Sequence, residues 1–223
     1  LHYTTNNTIF GTQFGYTPVA GDTPLIADMS SDICSRPVDV SKHAVIYAGA
    51  QKNLGPSGVT VVILSPWAVE RSRTIGQSRP GGLPSMLDYG LMVDKESLFN
   101  TPNTFGIYAL ERVLNWIETE GGVDAMEKLN DEKAAHLYGA LDATDFWTPH
   151  AVDGSRSRMN VTWRGPSEEL EKKFIAEADA AGMKALKGHR SVGGIRASTY
   201  NACSMASVEA LVSFMKDFEA KNG

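Results

Sequence analysis

Residues 44–64 read AVIYAGAQKNLGPSGVTVVIL. Ala44 to Ala48 is an apolar run of strand length, and the polar Gln51-Lys52-Asn53 follows it. Gly55-Pro56-Ser57-Gly58 is a turn signal, and Val59 to Leu64 is a second apolar run, rich in β-branched residues. Upstream, Leu25 to Asp28 (LIAD) is a third such run, ending on a carboxylate. Buried parallel strands often meet a site in this way, at their carboxyl ends. Three apolar strands in close succession predict an α/β sheet rather than a helical bundle.

Outward from this block, residues 1–9 are rich in Thr and Asn and suit a strand end or loop. Gly76, Pro80, Gly81, Gly82 and Pro84 predict a loop over 74–85. Ile107, Leu110, Val113, Leu114 and Ile117 recur at helical spacing, so a helix is predicted from Thr104 to Glu120, closed by Gly121-Gly122. A second helix is expected from about Val123 to Leu141, and this helical stretch offers a hinge between two domains. The remainder reads as α+β. Met159–Trp163 alternates like a strand. A helix runs from Ser167, its N-cap, to about Ala181, with Gly182 as C-cap. Met183–Leu186 and Gly194–Ser198 are expected strands, and Ser207–Glu219 a closing helix.

The chain has 223 residues, a formal net charge of -5 and 42% hydrophobic residues. A core is affordable, and a general nucleic-acid binder is disfavoured because phosphate neutralisation needs surplus Lys and Arg. Two isolated cysteines, Cys34 and Cys203, suit free thiols in a reducing compartment. No zinc-like spacing occurs, no metal site is expected, and no apolar run reaches membrane-helix length. The chain opens on Leu1-His2-Tyr3 without an initiator Met, as if inside a folded element.

Three clusters could carry chemistry. Asp28 and Lys52 each follow an apolar run; a desolvated strand-end lysine can act as a free amine, and an aspartate can hold a ring nitrogen protonated. Helix capping and simple surface exposure are the bland counterparts. Lys187-Gly188-His189-Arg190, with Arg196 beyond, suits a ligand with two anionic ends, or else a solvated basic turn. Asn100-Thr101 precedes a helix and could hold a phosphate, or Thr101 or Thr104 could simply cap that helix. His2, His43, His136 and His150 show no partner pattern, and the methionines read as core filler.

Taken in order, several segments resemble the phosphoserine aminotransferase family of fold-type I pyridoxal 5'-phosphate enzymes. They are Ala27–Ser31, Ser35–Ser41, Val45–Pro56, Pro84–Tyr89, Phe99–Pro102, Ser157–Val161, Leu186–Arg190, Gly193–Ser198 and Tyr200–Ala202. The resemblance implies an α/β fold: part of a large mixed-sheet cofactor domain over 1–112 and a smaller C-terminal α+β domain over 113–223. It makes Lys52 the imine-forming lysine, with Gln51 beside it on the cofactor and Asp28 on the pyridine nitrogen. Thr8 hydrogen-bonds the cofactor, and Asn100 and Thr101 bind its phosphate across a homodimer. Arg196 holds the substrate α-carboxylate; His189 and Arg190 bind the far anion.

The implied reaction passes an amino group between glutamate and 3-phosphohydroxypyruvate, giving phosphoserine and 2-oxoglutarate in cytoplasmic serine biosynthesis. Lys52, displaced by the substrate amine, moves the α-proton. Phosphorylated hydroxythreonine is a further substrate in some family members. The resemblance covers the family's carboxyl-terminal part. It implies a preceding block, on the order of 150 residues and domain-sized, with a Gly-Arg phosphate contact, a stacking Trp and a substrate-binding Arg. Two other readings stand beside it: a catalytically incomplete fragment serving as a non-catalytic or dimerisation module, and a related fold-type I enzyme for another small amino acid.

Overall fold

In the computed structural model, which describes residues 1–223, the 44–64 stretch folds as two antiparallel strands joined by a turn. The elements, in chain order, begin with β1 (His2–Thr4), β2 (Asn6–Asn7), β3 (Thr12–Gln13), β4 (Ile26–Asp28), β5 (Val45–Gly49) and β6 (Thr60–Leu64). Next come α1 (Pro66–Ser78), α2 (Tyr89–Asp94), α3 (Thr104–Thr119), α4 (Gly122–Asp142), β7 (Thr148–Pro149) and β8 (Asn160–Arg164). The chain ends with α5 (Glu168–Ala180), β9 (Ile195–Ser198) and α6 (Met205–Asn222).

The chain divides into two compact units. The first comprises Leu1–Thr4, Pro18–Ser30 and Val38–Trp116; the second comprises Thr5–Thr17, Ser31–Pro37 and Ile117–Gly223. This differs from a single cut after residue 112. The boundary falls inside α3, and two early segments fold with the second unit.

The first unit holds a mixed sheet in the order β1-β4-β5-β6. Its first three strands are parallel and β6 is antiparallel to β5, Val45 facing Leu64 and Gly49 facing Thr60. Gly55 and Gly58 adopt φ of 133° and 101° in the connecting turn, a region that L side chains rarely enter. Ala27, Ile46 and Ala48 are buried. The apolar run Val59–Leu64, whose composition suits a buried strand, instead forms β6 at a sheet edge with half-buried to exposed side chains. An apolar run alone does not separate a central strand from an edge.

The loop expected over 74–85 is likewise shortened, because α1 runs to Ser78. Ser65 Oγ caps it by accepting the Ala68 N–H at 3.2 Å, Pro66 starts the first turn, and Gly76 is tolerated inside.

The second unit packs α4, α5 and α6 around the antiparallel sheet β7-β8-β9. Leu137, Leu141, Trp147, Val161, Trp163, Phe174, Val212, Met215 and Phe218 form its core. Trp147 and Phe218 both meet Phe174 with ring centroids 5.2 Å apart. Ser167 caps α5, and Gly182 at φ 90° closes it with a Schellman pattern: the Met183 N–H reaches the Ala178 carbonyl at 2.9 Å. The strand expected at Met183–Leu186 is absent; Ala185 takes a positive φ of 63°, and only a bridge from Lys187 to Ile195 forms. Asn6 ties the early segments into this unit, donating to Ser31 Oγ and Asn160 Oδ1, both at 2.9 Å. No helix is long and apolar enough to cross a membrane.

Candidate functional site

In the first unit, the parallel pairing of β4 and β5 sends both strands' carboxyl ends to the same edge of the sheet, where ligands of open α/β sheets bind. Asp28 is the last residue of β4 and lies opposite Tyr47 of β5. Its Oδ1 accepts the Ser30 N–H at 2.9 Å. Burial, and then the Asp28 charge, push the Tyr47 phenol above its usual range.

Lys52 is half-buried in the turn that leaves β5. That turn is closed by the Leu54 N–H to the Ala50 carbonyl at 3.0 Å and tied to β6 by the Ala50 N–H to the Val59 carbonyl at 2.9 Å. Ser30 Oγ accepts the Gly49 N–H at 3.2 Å, joining the end of β4 to the start of the lysine turn. Gln51 folds back over Gly49, where a Cβ would lie 2.6 Å from its Oε1. The lysine and the carboxylate are thus carried on adjoining segments by backbone bonds.

Asn100 and Thr101 are exposed just ahead of α3. The cap of α3 is Asn103, whose Oδ1 accepts the Gly106 N–H at 3.1 Å. This corrects the alternative in which Thr101 or Thr104 caps that helix. Capping therefore does not occupy Asn100 or Thr101.

In the second unit, Arg196 sits on β9 opposite Thr162. Its Nη1 donates to the Thr8 carbonyl at 3.3 Å, so two of the expected site residues meet directly. Its Nε is buried with no hydrogen-bond partner. His189 and Arg190 lie in the hairpin before β9. There the Gly188 N–H reaches the Gly194 carbonyl at 2.9 Å, and the Gly193 N–H reaches the His189 carbonyl at 2.8 Å. A Cβ on Gly188 would sit 1.9 Å from the Gly193 carbonyl oxygen, so the close backbone approach demands glycine. Ser191 Oγ lies 2.7 Å from His189 Nδ1, and Arg190 is exposed.

The residues missed in the sequence are Ser30, Tyr47 and His2. His2 had shown no partner pattern, yet its Nε2 lies 3.0 Å from the Tyr47 hydroxyl. A signal existed: pairing LIAD in parallel with AVIYA sets Asp28 beside Tyr47.

A family model described as aminotransferase class-V matches residues 1–211. A phosphoserine aminotransferase of Lysinibacillus sphaericus (strain C3-41) is 54% identical over 223 residues, which cover all of this chain and 60% of that protein. The solved phosphoserine aminotransferase from Bacillus circulans subsp. alkalophilus superposes with a TM-score of 0.93 at 49% identity, over 100% of this chain and 60% of that one. A pyridoxal-phosphate-bound phosphoserine aminotransferase from Trichomonas vaginalis gives 0.88 at 39% identity, over 96% of this chain and 59% of its own. The chain thus spans about 60% of the length of the relatives it matches.

Proposed function

This chain belongs to the aminotransferase class-V family, and from that premise we propose that its protein is a phosphoserine aminotransferase of serine biosynthesis. It passes an amino group between glutamate and 3-phosphohydroxypyruvate, yielding phosphoserine and 2-oxoglutarate. The observation that carries this reading is the meeting of Asp28 and the Lys52 turn at the carboxyl ends of two neighbouring parallel strands.

Pyridoxal 5'-phosphate fits the donor set: an amine for its aldehyde, a carboxylate for its ring nitrogen, and amide and hydroxyl groups for its phosphate. When bound, it supplies the electron sink for the charge that develops at the substrate α-carbon. Lys52 would hold the cofactor through its amine and would serve as the general base for the α-proton. Asp28 keeps the ring nitrogen protonated, and Gln51 and Thr8 contact the cofactor. Asn100 and Thr101 bind the phosphate from the partner subunit of a homodimer; their exposure and freedom from capping support this. Arg196 pairs with the substrate α-carboxylate, which gives its unpartnered buried Nε a role. His189 and Arg190 take the distal phosphate or carboxylate. The unpaired Cys34 and Cys203 accord with a cytoplasmic setting.

Titration with pyridoxal 5'-phosphate, followed by borohydride reduction and peptide mass spectrometry, tests the lysine. The wild-type chain is expected to carry the label on Lys52, and Lys52→Ala to lose both the visible band and the label. A normal band in Lys52→Ala overturns the assignment. Turnover of phosphoserine against alanine and serine tests the substrate; a preference for the neutral amino acids overturns the doubly anionic reading.

A further inference from the structure

We propose that Tyr47, backed by His2, is a positioning pair that aims the Asp28 carboxylate at the cofactor's ring nitrogen; this rests on the pyridoxal 5'-phosphate reading of Asp28. Asp28 and Tyr47 are register partners on β4 and β5, so their side chains leave the same face of the sheet. His2 lies on β1, on the far side of β4, opposite Ile26. Ile26 precedes Asp28 by two positions, which puts His2 on that face as well.

The contacts follow from this placement. Tyr47 stands beside Asp28 in the register of β4 and β5, near enough for the Asp28 charge to raise the phenol, and we take its hydroxyl as a donor to that carboxylate. It also lies 3.0 Å from His2 Nε2, with the two rings stacked at 5.9 Å and 24° between planes. With the Tyr47 proton directed to Asp28, as the proposal has it, the bond to His2 requires Nε2–H, which donates to the phenol oxygen. The result is a chain of donors, His2 to Tyr47 to Asp28. The Ser30 N–H adds a second donor to Asp28 from the backbone at 2.9 Å.

Two donors of different origin fix the direction of a carboxylate. A ring nitrogen stays protonated only if the carboxylate charge faces it. The titratable groups around Tyr47 are Asp28, His2 and, from α2, Tyr89. Burial first, then Asp28 and Tyr89, raise the Tyr47 phenol, so it remains a donor at neutral pH.

The test uses Tyr47→Phe, His2→Ala and His2→Gln, with ring-¹⁵N-labelled pyridoxal 5'-phosphate. Cofactor affinity and the nitrogen resonance are read together, and thermal melts check folding. Tyr47→Phe is expected to bind about tenfold more weakly, as for one hydrogen bond to a charged group. Its nitrogen resonance is expected to move toward that of an unprotonated pyridine. His2→Ala should move both in the same direction by less. His2→Gln, whose amide can still donate to the phenol oxygen, should restore most of the wild-type values. Wild-type affinity and resonance in Tyr47→Phe overturn the proposal. So does weaker binding with an unmoved resonance, which would leave Tyr47 only a packing role. Should Tyr47→Phe fail to fold, His2→Ala decides by the same two readings. Asp28→Asn separates the two levels: a wild-type resonance there removes the Asp28 reading itself, whatever Tyr47 does.

Discussion

Lys133 lies on α4 with no exposed surface and no carboxylate beside it. Its Nζ donates to the carbonyls of Thr199, Tyr200 and Cys203 at 2.9, 2.9 and 3.2 Å. Those carbonyls belong to the segment that leaves β9, so the lysine fixes the exit of the strand that carries Arg196. Desolvation lowers its ammonium to about 8, against 10.5 for an unperturbed lysine. The unfolded chain therefore binds this proton more tightly than the folded one. Between pH 8 and 10.5 the contribution of Lys133 to stability rises with pH, by at most about 1.4 kcal/mol per pH unit. Denaturant midpoints of wild type and Lys133→Met, compared at pH 8 and 10, are expected to diverge in favour of wild type. A constant difference would contradict this. Nothing in the local sequence marks Lys133, which stands in a helix of ordinary composition and reads as a surface lysine. Asp28 and Lys52 were legible as candidates because a charged residue after an apolar run is visible locally. Tyr47 was not, because its meaning depends on which strand lies beside it.

Elements with strong periodicity and caps were legible to within a few residues. α3 to α6 lie where spacing and cap residues put them, and the Ser167 cap of α5 is one example. Ser167→Ala should cost about 1 kcal/mol in a chemical denaturation curve, the usual value of an N-cap. α1 was lost to its own neighbourhood: Gly76 and the Pro80-Gly81-Gly82 cluster outweighed the signal of Ser65-Pro66. The hairpin before β9 shows the reverse case, in which glycines read as freedom are closeness. The Gly188 backbone is pressed against Gly193, and Gly193 and Gly194 take φ of 77° and 71°. Gly188→Ala must push the two strands of the hairpin apart and displace His189 and Arg190. Calorimetric titration is expected to show about tenfold weaker phosphoserine binding, a loss of about 1.4 kcal/mol. A thermal melt is read beside it, because Leu186 and Ile195, which flank the hairpin, belong to the core of the second unit. Unchanged binding would remove the hairpin from the distal-anion site.

At the scale of the molecule, the α/β class was legible, but the discontinuity of the two compact units was not. Thr5–Thr17 and Ser31–Pro37 join the second unit through bonds such as Gln13 Nε2 to Asp32 at 3.1 Å and Asn130 Nδ2 to the Ser35 carbonyl at 3.0 Å. Such side-chain pairings between distant segments leave no periodic trace in the sequence. The first unit carries a further large-scale feature. Phe105 and Tyr108 on α3 are 74% and 60% exposed, and Ile107, Leu114, Leu98 and Phe99 are exposed with them. The apolar positions that predicted α3 are thus only partly buried, although Ile117 is. Large apolar patches on soluble proteins mark surfaces that another molecule covers. The proposed homodimer, with Asn100 and Thr101 reaching a partner's cofactor, would cover this one, because both residues lie immediately before α3. Two-fold symmetry would then set the same α3 surface on both copies. Sedimentation of the chain is expected to show a dimer, and Phe105→Glu with Tyr108→Glu to give a folded monomer. If the phosphate contacts come from the partner, as proposed, that monomer should also bind pyridoxal 5'-phosphate more weakly while retaining Lys52. A wild-type monomer that binds the cofactor normally would sink the cross-subunit reading of Asn100 and Thr101 and leave the Lys52 and Asp28 assignments standing.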